Sequence, residues 1–302
     1  MLSELFYWLL NMSVSASIAG LVILLLEKIH KIPRRIMHIL FMIPFFRMWV
    51  PIGMGSRYSL MSLISRVISK TVVVYEGNQV FSMTNFVMAA DTYFPLTYKT
   101  DLLKEVFQIA ALVWIIVAMI LLLATAFVYT ASMLELKDAR HLQDNIYLSQ
   151  KITSPAVYGI VREKIILGEG YKEADLKFIL MHEKAHIKRK DNVWRLLGII
   201  TMCIHWFNPF LWLFLKAFLT NLELACDETV LKDCSEADKK NYAEVLLNCA
   251  ESKSLYASAF GGTKLRVRID FIFSYQKLSL LSIAAFFLLV SAVGYVLLTN
   301  AM

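Results

Sequence analysis

Two histidines four residues apart bracket a glutamate in the run His182-Glu183-Lys184-Ala185-His186. On a helix this spacing projects both imidazoles from one face, where they can bind a single metal ion. Glu183 follows the first imidazole and can reach a water on that metal. Zinc lowers the pKa of such a water to about 7, and the carboxylate then serves as general base. The run is half of a zinc peptidase site. The other half must come from elsewhere in the chain.

A third ligand is expected downstream, and the best candidate is Glu223, in Glu223-Leu224-Ala225-Cys226-Asp227-Glu228. Glu223 and Asp227 are four apart and share a helical face. A carboxylate from a second helix completes two histidines and one glutamate and leaves the fourth position for water. Asp227 is then placed to hold a ligand histidine by its second ring nitrogen. The competing reading is an acidic, solvated helix start. The position some forty residues after the histidine pair favours the metal. Glu228 is the fallback ligand if the register is misread, and Cys226 points off this face and reads as packing. For an oxyanion donor beside zinc, Tyr158, Tyr171 and Tyr242 are all candidates, and each also reads as a packed tyrosine.

These side chains need elements to hold them. Asp175–Arg189 reads as the helix bearing the first two ligands, with Leu176, Ile179, Leu180 and Ile187 as its apolar stripe. Lys188, Arg189 and Lys190 read as a solvated helix end. Residues 196–219 form an apolar hairpin. A single crossing there would put His182 and Glu223 on opposite sides of a bilayer. Asn208-Pro209 interrupts the run, and proline cannot continue a helix without losing a hydrogen bond. The expectation is two short arms of about ten residues, each about 15 Å long, joined at Phe207–Pro209. His205, in this hairpin, reads as structural rather than as a metal ligand. Upstream, Ser154–Gly159 and Lys164–Leu167 suggest two strands whose edge could pair with an extended peptide. Ser235-Glu236-Ala237-Asp238 opens another helix with a capping-box pattern.

Hydrophobic residues make up 58% of the 302 residues, against about 45–50% for a soluble domain. Four segments are long enough to cross a bilayer: Leu5–Leu26, Ile36–Gly55, Val106–Leu134 and Leu278–Thr299. The fold class expected is a mainly α membrane protein. Residues 1–134 carry three transmembrane helices with an external loop at about 56–105. Residues 135–277 form a cytoplasmic α+β zinc peptidase domain, and residues 278–302 form the fourth helix. The external loop reads as a surface helix around Leu60–Ile68 and a hairpin around Glu76-Gly77-Asn78, with an irregular connector as the alternative.

Lys28, Lys31, Arg34 and Arg35 mark the first connector as cytoplasmic. Lys264, Arg266, Arg268 and Lys277 before the last span agree, so the N-terminus is expected outside. The net charge of +7 fits basic segments near an anionic leaflet and forms no separate basic domain, so direct nucleic-acid binding is not expected. Cys203, Cys226, Cys234 and Cys249 lack paired zinc spacing and read as reduced, buried thiols.

The run from His182 to Asn192, then His205-Trp206-Phe207-Asn208-Pro209, then Glu223-Leu224-Ala225-Cys226-Asp227 resembles the M56 peptidases. These are the gluzincin-like membrane metallopeptidases of BlaR1/MecR1-type β-lactam sensor-transducers. The resemblance covers the whole chain. It implies Zn2+ as cofactor, His182, His186 and Glu223 as its ligands, and Glu183 as catalytic base. It implies a cytoplasmic transcriptional repressor as the cleaved partner, induction of antibiotic resistance as the outcome, and self-association as a homodimer. It also implies self-cleavage, with Ser258, Ala259 and Phe260 as the candidate region. The sequence ends at Met302, where those receptors carry an external penicillin-binding sensor domain. That domain is expected to be missing, by nature or by truncation. Two other readings stand beside this one: an HtpX-like membrane quality-control peptidase, and a non-catalytic scaffold with a vestigial zinc site.

Overall fold

Apolar helices dominate the chain because long uncharged runs satisfy their backbone polar groups internally. The computed structural model describes residues 2–28, 32–50, 56, 58–59, 101–152, 154–232, 234–250, 265–275 and 280–299. The expected external hairpin and surface helix, and the Ser258–Phe260 region, lie outside the described residues.

In chain order the helices are α1 (Leu2–Glu27), α2 (Arg34–Trp49), α3 (Asp101–Glu135), α4 (Glu173–Arg189), α5 (Asp191–Ile204), α6 (Pro209–Leu231), α7 (Glu236–Ala250), α8 (Leu265–Ser274) and α9 (Leu280–Leu298). Four strands stand between α3 and α4: β1 (Arg140–Gln143), β2 (Ile146–Leu148), β3 (Ala156–Tyr158) and β4 (Lys164–Leu167). The sheet order is β1-β2-β4-β3, with β2 and β4 parallel and the other pairs antiparallel. The sequence pointed to β3 and β4. It did not point to β1 and β2, whose tight connection turns at Asp144 with φ of 47°. Asp and Asn tolerate that left-handed backbone.

Among the described residues, three helices are long and apolar enough to cross a membrane: Leu2–Glu27, Glu105–Asp138 and Pro209–Leu231. The expected second span is shorter than the sequence suggested. α2 has 16 residues, about 24 Å at helical rise, against about 30 Å of hydrocarbon. It stops at Trp49, with Val50 extended. The apolar stretch Ala284–Leu298 in α9 is also shorter than a full crossing.

The apolar hairpin exists, but its arms are unequal. α5 has 14 residues and α6 has 23. α6 runs unbroken from the turn through Glu223 and Asp227, so the expected ten-residue arm and the acidic helix are one element. Nothing after Pro209 breaks it, and Pro209 itself sits in the first turn, where proline costs no hydrogen bond. Asn208 caps this start by accepting from Phe210 N–H at 3.0 Å. Its amide nitrogen donates to the hydroxyls of Ser13 and Ser17, both at 2.8 Å, tying the turn to α1. Gly20 of α1 meets the Phe214 ring so closely that a Cβ there would lie 2.3 Å from it. Trp114 of α3 donates to Ile204 O at 2.7 Å.

Two of the hydrophobic cores among the described residues position the site. One joins α1, α2 and α6 through residues such as Ala19, Ile23, Leu40, Phe41 and Phe218. The other joins β4, α4, α6, α7 and α8 through Ile165, Phe178, Ile179, Leu231, Tyr242 and Ile272. α6 contributes to both, so it links the apolar bundle rigidly to the small α+β unit.

Candidate metal centre

α4 places His182, Glu183 and His186 on its buried side. The Nε2 atoms of His182 and His186 approach to 3.1 Å. From α6, Glu223 Oε2 lies 3.6 Å from His182 Nε2 and 3.8 Å from His186 Nε2. A point equidistant from three atoms at these separations lies about 2.0 Å from each, the bond length of zinc to imidazole nitrogen or carboxylate oxygen. The donor set and its spacing therefore fit a zinc ion.

The second atom of each ligand is also held. Arg195 Nη2 donates to Glu223 Oε1 at 3.1 Å, which turns the other oxygen toward the imidazoles. His186 Nδ1 pairs with Asp191 Oδ2 at 2.8 Å. Burial raises the Asp191 carboxyl, but the His186 hydrogen bond and charge outweigh it and hold the group ionised below its usual range. Asp191 is thus an acceptor, and His186 Nδ1 carries the proton. Cys226 donates its S–H to the same carboxylate oxygen at 3.1 Å.

His182 is held through a longer chain. The Tyr242 hydroxyl donates to Asp227 Oδ1 at 2.6 Å and lies 2.9 Å from His182 Nδ1. Burial and the Asp227 charge push the phenol well above its ordinary value, so it keeps its proton. With that proton committed to Asp227, the contact to His182 runs from Nδ1–H to the phenol oxygen. Burial and Arg268 push the His182 pKa down. Hydrogen bonds with Asp227 and Glu223 outweigh them and hold it at about 9, so a metal would displace the Nε2 proton. In both rings the tautomer left for a metal offers Nε2.

The site opens on a cleft of about 210 Å³ lined by Glu183, by Ser154 to Val157 of the β3 segment, and by Val245 and Leu246 of α7. β3 is one of the two edge strands of the sheet. Asn192, at the start of α5, donates to Val157 O and Gly159 O, both at 3.0 Å, and so ties that edge to the metal helix. Lys190 makes this geometry by taking φ of 56° between α4 and α5, which turns Asp191 back onto His186.

Several residues stand apart from their expected places. Glu228 does not face the metal cluster: it accepts from Arg35 N–H at 3.1 Å, beside α2. Cys226 was expected to be packing, yet its sulfur bonds Asp191. Tyr242 serves His182 and Asp227 rather than lying free as an oxyanion donor. Tyr158 packs in a separate core with Ile152 and Ile166. Arg189, expected in a solvated helix end, reaches Leu222 O and Asp191. Arg268, expected as a membrane-flanking cation, is 15% exposed and pairs with Asp227. His205 lies buried in the hairpin turn, outside the metal cluster. Asp191, Arg195 and Arg268 were missed as site residues. The first had a signal, an acid just past the end of the ligand helix. The two arginines had none in local spacing.

Comparison with known proteins shows the family. The regulatory protein BlaR1 of Bacillus licheniformis is 30% identical over 155 residues, 47% of this chain and 26% of that protein. The methicillin resistance protein mecR1 of Staphylococcus aureus is 31% identical over 113 residues, 36% of this chain and 19% of that protein. The matched stretches thus span about a quarter or less of these curated relatives. The model of the BlaR1 peptidase M56 family matches residues 7–271, from the first apolar helix through α8, and the chain belongs to that family.

Proposed function

We propose that this chain is an integral-membrane zinc-dependent endopeptidase of a signalling system like those of BlaR1 and MecR1. Its substrate is a cytoplasmic transcriptional repressor, and cleavage induces antibiotic resistance. One observation carries the reading: His182, His186 and Glu223 converge from two helices, with Glu183 beside them, in a cleft lined on one side by the β3 segment.

When bound there, zinc would polarise the scissile carbonyl and acidify the attacking water. The chain's own residues do the rest. The Ser154–Val157 segment lines the cleft and offers an extended peptide the backbone groups that Asn192 leaves free. Glu183 takes a proton from the attacking water and passes it to the leaving amine nitrogen. Asp191 and the Tyr242–Asp227 pair keep both imidazoles facing the site. Arg195 and Arg268 offset the buried carboxylates.

We place the catalytic unit on the cytoplasmic side. The basic connector between α1 and α2 supports this orientation by the positive-inside rule. In this reading α1 and α3 cross the membrane, the shorter α2 and α9 are the other two spans, and the apolar start of α6 dips into the bilayer from the cytoplasmic face.

The test is cleavage of a purified candidate repressor by wild type and by Glu183→Ala in detergent micelles. Loss of cleavage with retained zinc is the expected result. Equal cleavage by both proteins would remove the peptidase reading. Cleavage of unfolded membrane proteins, with the repressor left intact, would move it to quality control.

A further inference from the structure

The Arg268 guanidinium reaches the site from α8, 86 residues after His182 in sequence. Its Nε donates to Asp227 Oδ2 at 2.8 Å and its Nη2 to Asp227 Oδ1 at 2.7 Å. This is a two-point fork on one carboxylate, the geometry only arginine supplies. Nη1 lies 3.5 Å from Glu223 Oε2, the oxygen that faces the imidazoles. Nη2 also lies 3.3 Å from His182 Nε2. One side chain therefore touches a ligand carboxylate, a ligand imidazole and the carboxylate that orients that imidazole.

The charge pattern explains why a cation is needed there. Glu223 and Asp227 project one turn apart from the same face of α6, and Asp227 is fully buried. Two carboxylates so placed repel unless a cation lies between them. Arg268 is that cation. Its own position is set by α8, which packs against α6 and α7. Ile272 anchors this helix in the second core with no exposed surface, and Lys239 Nζ donates to Tyr275 O at its end.

We propose that Arg268 is a positioning residue for the metal site. It holds Asp227, and through Asp227 and Tyr242 the His182 ring, in the geometry that binds zinc, so zinc affinity depends on the seating of α8. The inference rests on the zinc peptidase reading and adds to it a dependence on a segment that carries no metal ligand.

The experiment uses the full chain in detergent micelles, stripped of metal and titrated with zinc against a chelator. Arg268→Ala is expected to weaken zinc binding about 10- to 100-fold with all three ligands intact. Arg268→Lys should recover only part of that loss, because one ammonium cannot grip both Asp227 oxygens. Asp227→Asn combined with Arg268→Ala should lose clearly less than the sum of the two single losses, since both changes cut the Arg268–Asp227 link and only the longer contacts to Glu223 and His182 remain to be lost. Ile272→Ala should weaken binding in the wild-type background and add nothing to Arg268→Ala. Wild-type or tighter zinc affinity in Arg268→Ala overturns the proposal, as does an additive double variant. Should Arg268→Ala fail to fold, Arg268→Lys decides: affinity equal to wild type overturns the proposal, and a several-fold loss supports it. Wild type that binds no zinc, or binds it no better than His182→Ala, would instead remove the peptidase reading itself.

Discussion

His182 and His186 sit one turn apart on the same helix, yet they are held in different ways. His186 is oriented mainly from nearby, by Asp191 five residues on, with Cys226 as a weaker contact to the same carboxylate. His182 is oriented entirely from afar. Tyr242 lies 60 residues away, Asp227 is on α6, and Arg268 comes from α8. The first arrangement forms once α4 ends and Lys190 turns the chain. The second requires α6 and α7 docked on α4, and α8 docked on α6 and α7. One half of the candidate metal centre therefore reports local folding, and the other half reports the packing of α6, α7 and α8.

The largest effect removes the chemistry and leaves both halves in place. Glu183→Gln should lower peptide cleavage by about 10²- to 10⁴-fold, the range for losing a general base. Zinc content measured by atomic emission should stay near wild type. If zinc is lost as well, Glu183 is supporting the site rather than acting on water.

The contrast sharpens at the two orienting carboxylates. Asp227→Asn should weaken zinc binding about 10- to 100-fold, and it also leaves the buried Arg268 without its ionised partner. Asp191→Asn should cost less, because its amide oxygen still accepts from His186. Chelator competition on the two variants measures the ratio. An equal or reversed order would mean that the distant shell is no more demanding than the near one.

Tyr242→Phe separates the links of the far chain. It removes the hydroxyl that bridges His182 and Asp227, whose direct separation is 3.4 Å. A buried hydrogen-bonding group lost this way costs roughly 1–3 kcal/mol, read as a lowered unfolding midpoint, with a zinc loss smaller than that of Asp227→Asn. The smallest effect belongs to Cys226→Ala. A thiol is a weak donor, and Asp191 keeps His186 and Arg189, so zinc affinity should change by less than about threefold. A larger loss would raise Cys226 to a full partner of the near shell.

The convergence of the candidate site residues was legible in the sequence to different degrees, and the reason differs by residue. His182, Glu183 and His186 follow from helical periodicity within five positions. Glu223 and Asp227 needed one further argument, that a single crossing at residues 196–215 would divide the ligands. The turn at Asn208-Pro209 was readable because proline has a fixed local cost. The length of α6 was not readable. Whether a helix stops near residue 219 or runs to 231 depends on two different cores gripping its two halves. The β1–β2 hairpin was also missed, since its strands are three and four residues long and carry little alternation.

By itself the sequence determined which atoms can bind a metal and which helix presents the first two. Those facts depend on spacing along one helix, and spacing is written in the order of residues. Only the tertiary structure decided how the imidazoles are aimed, that Tyr242 is committed to Asp227, and that Arg268 lies beside the ligands rather than at the membrane surface. Those facts depend on contacts between segments 15 to 86 residues apart, where burial and charge balance, not local periodicity, select the partner.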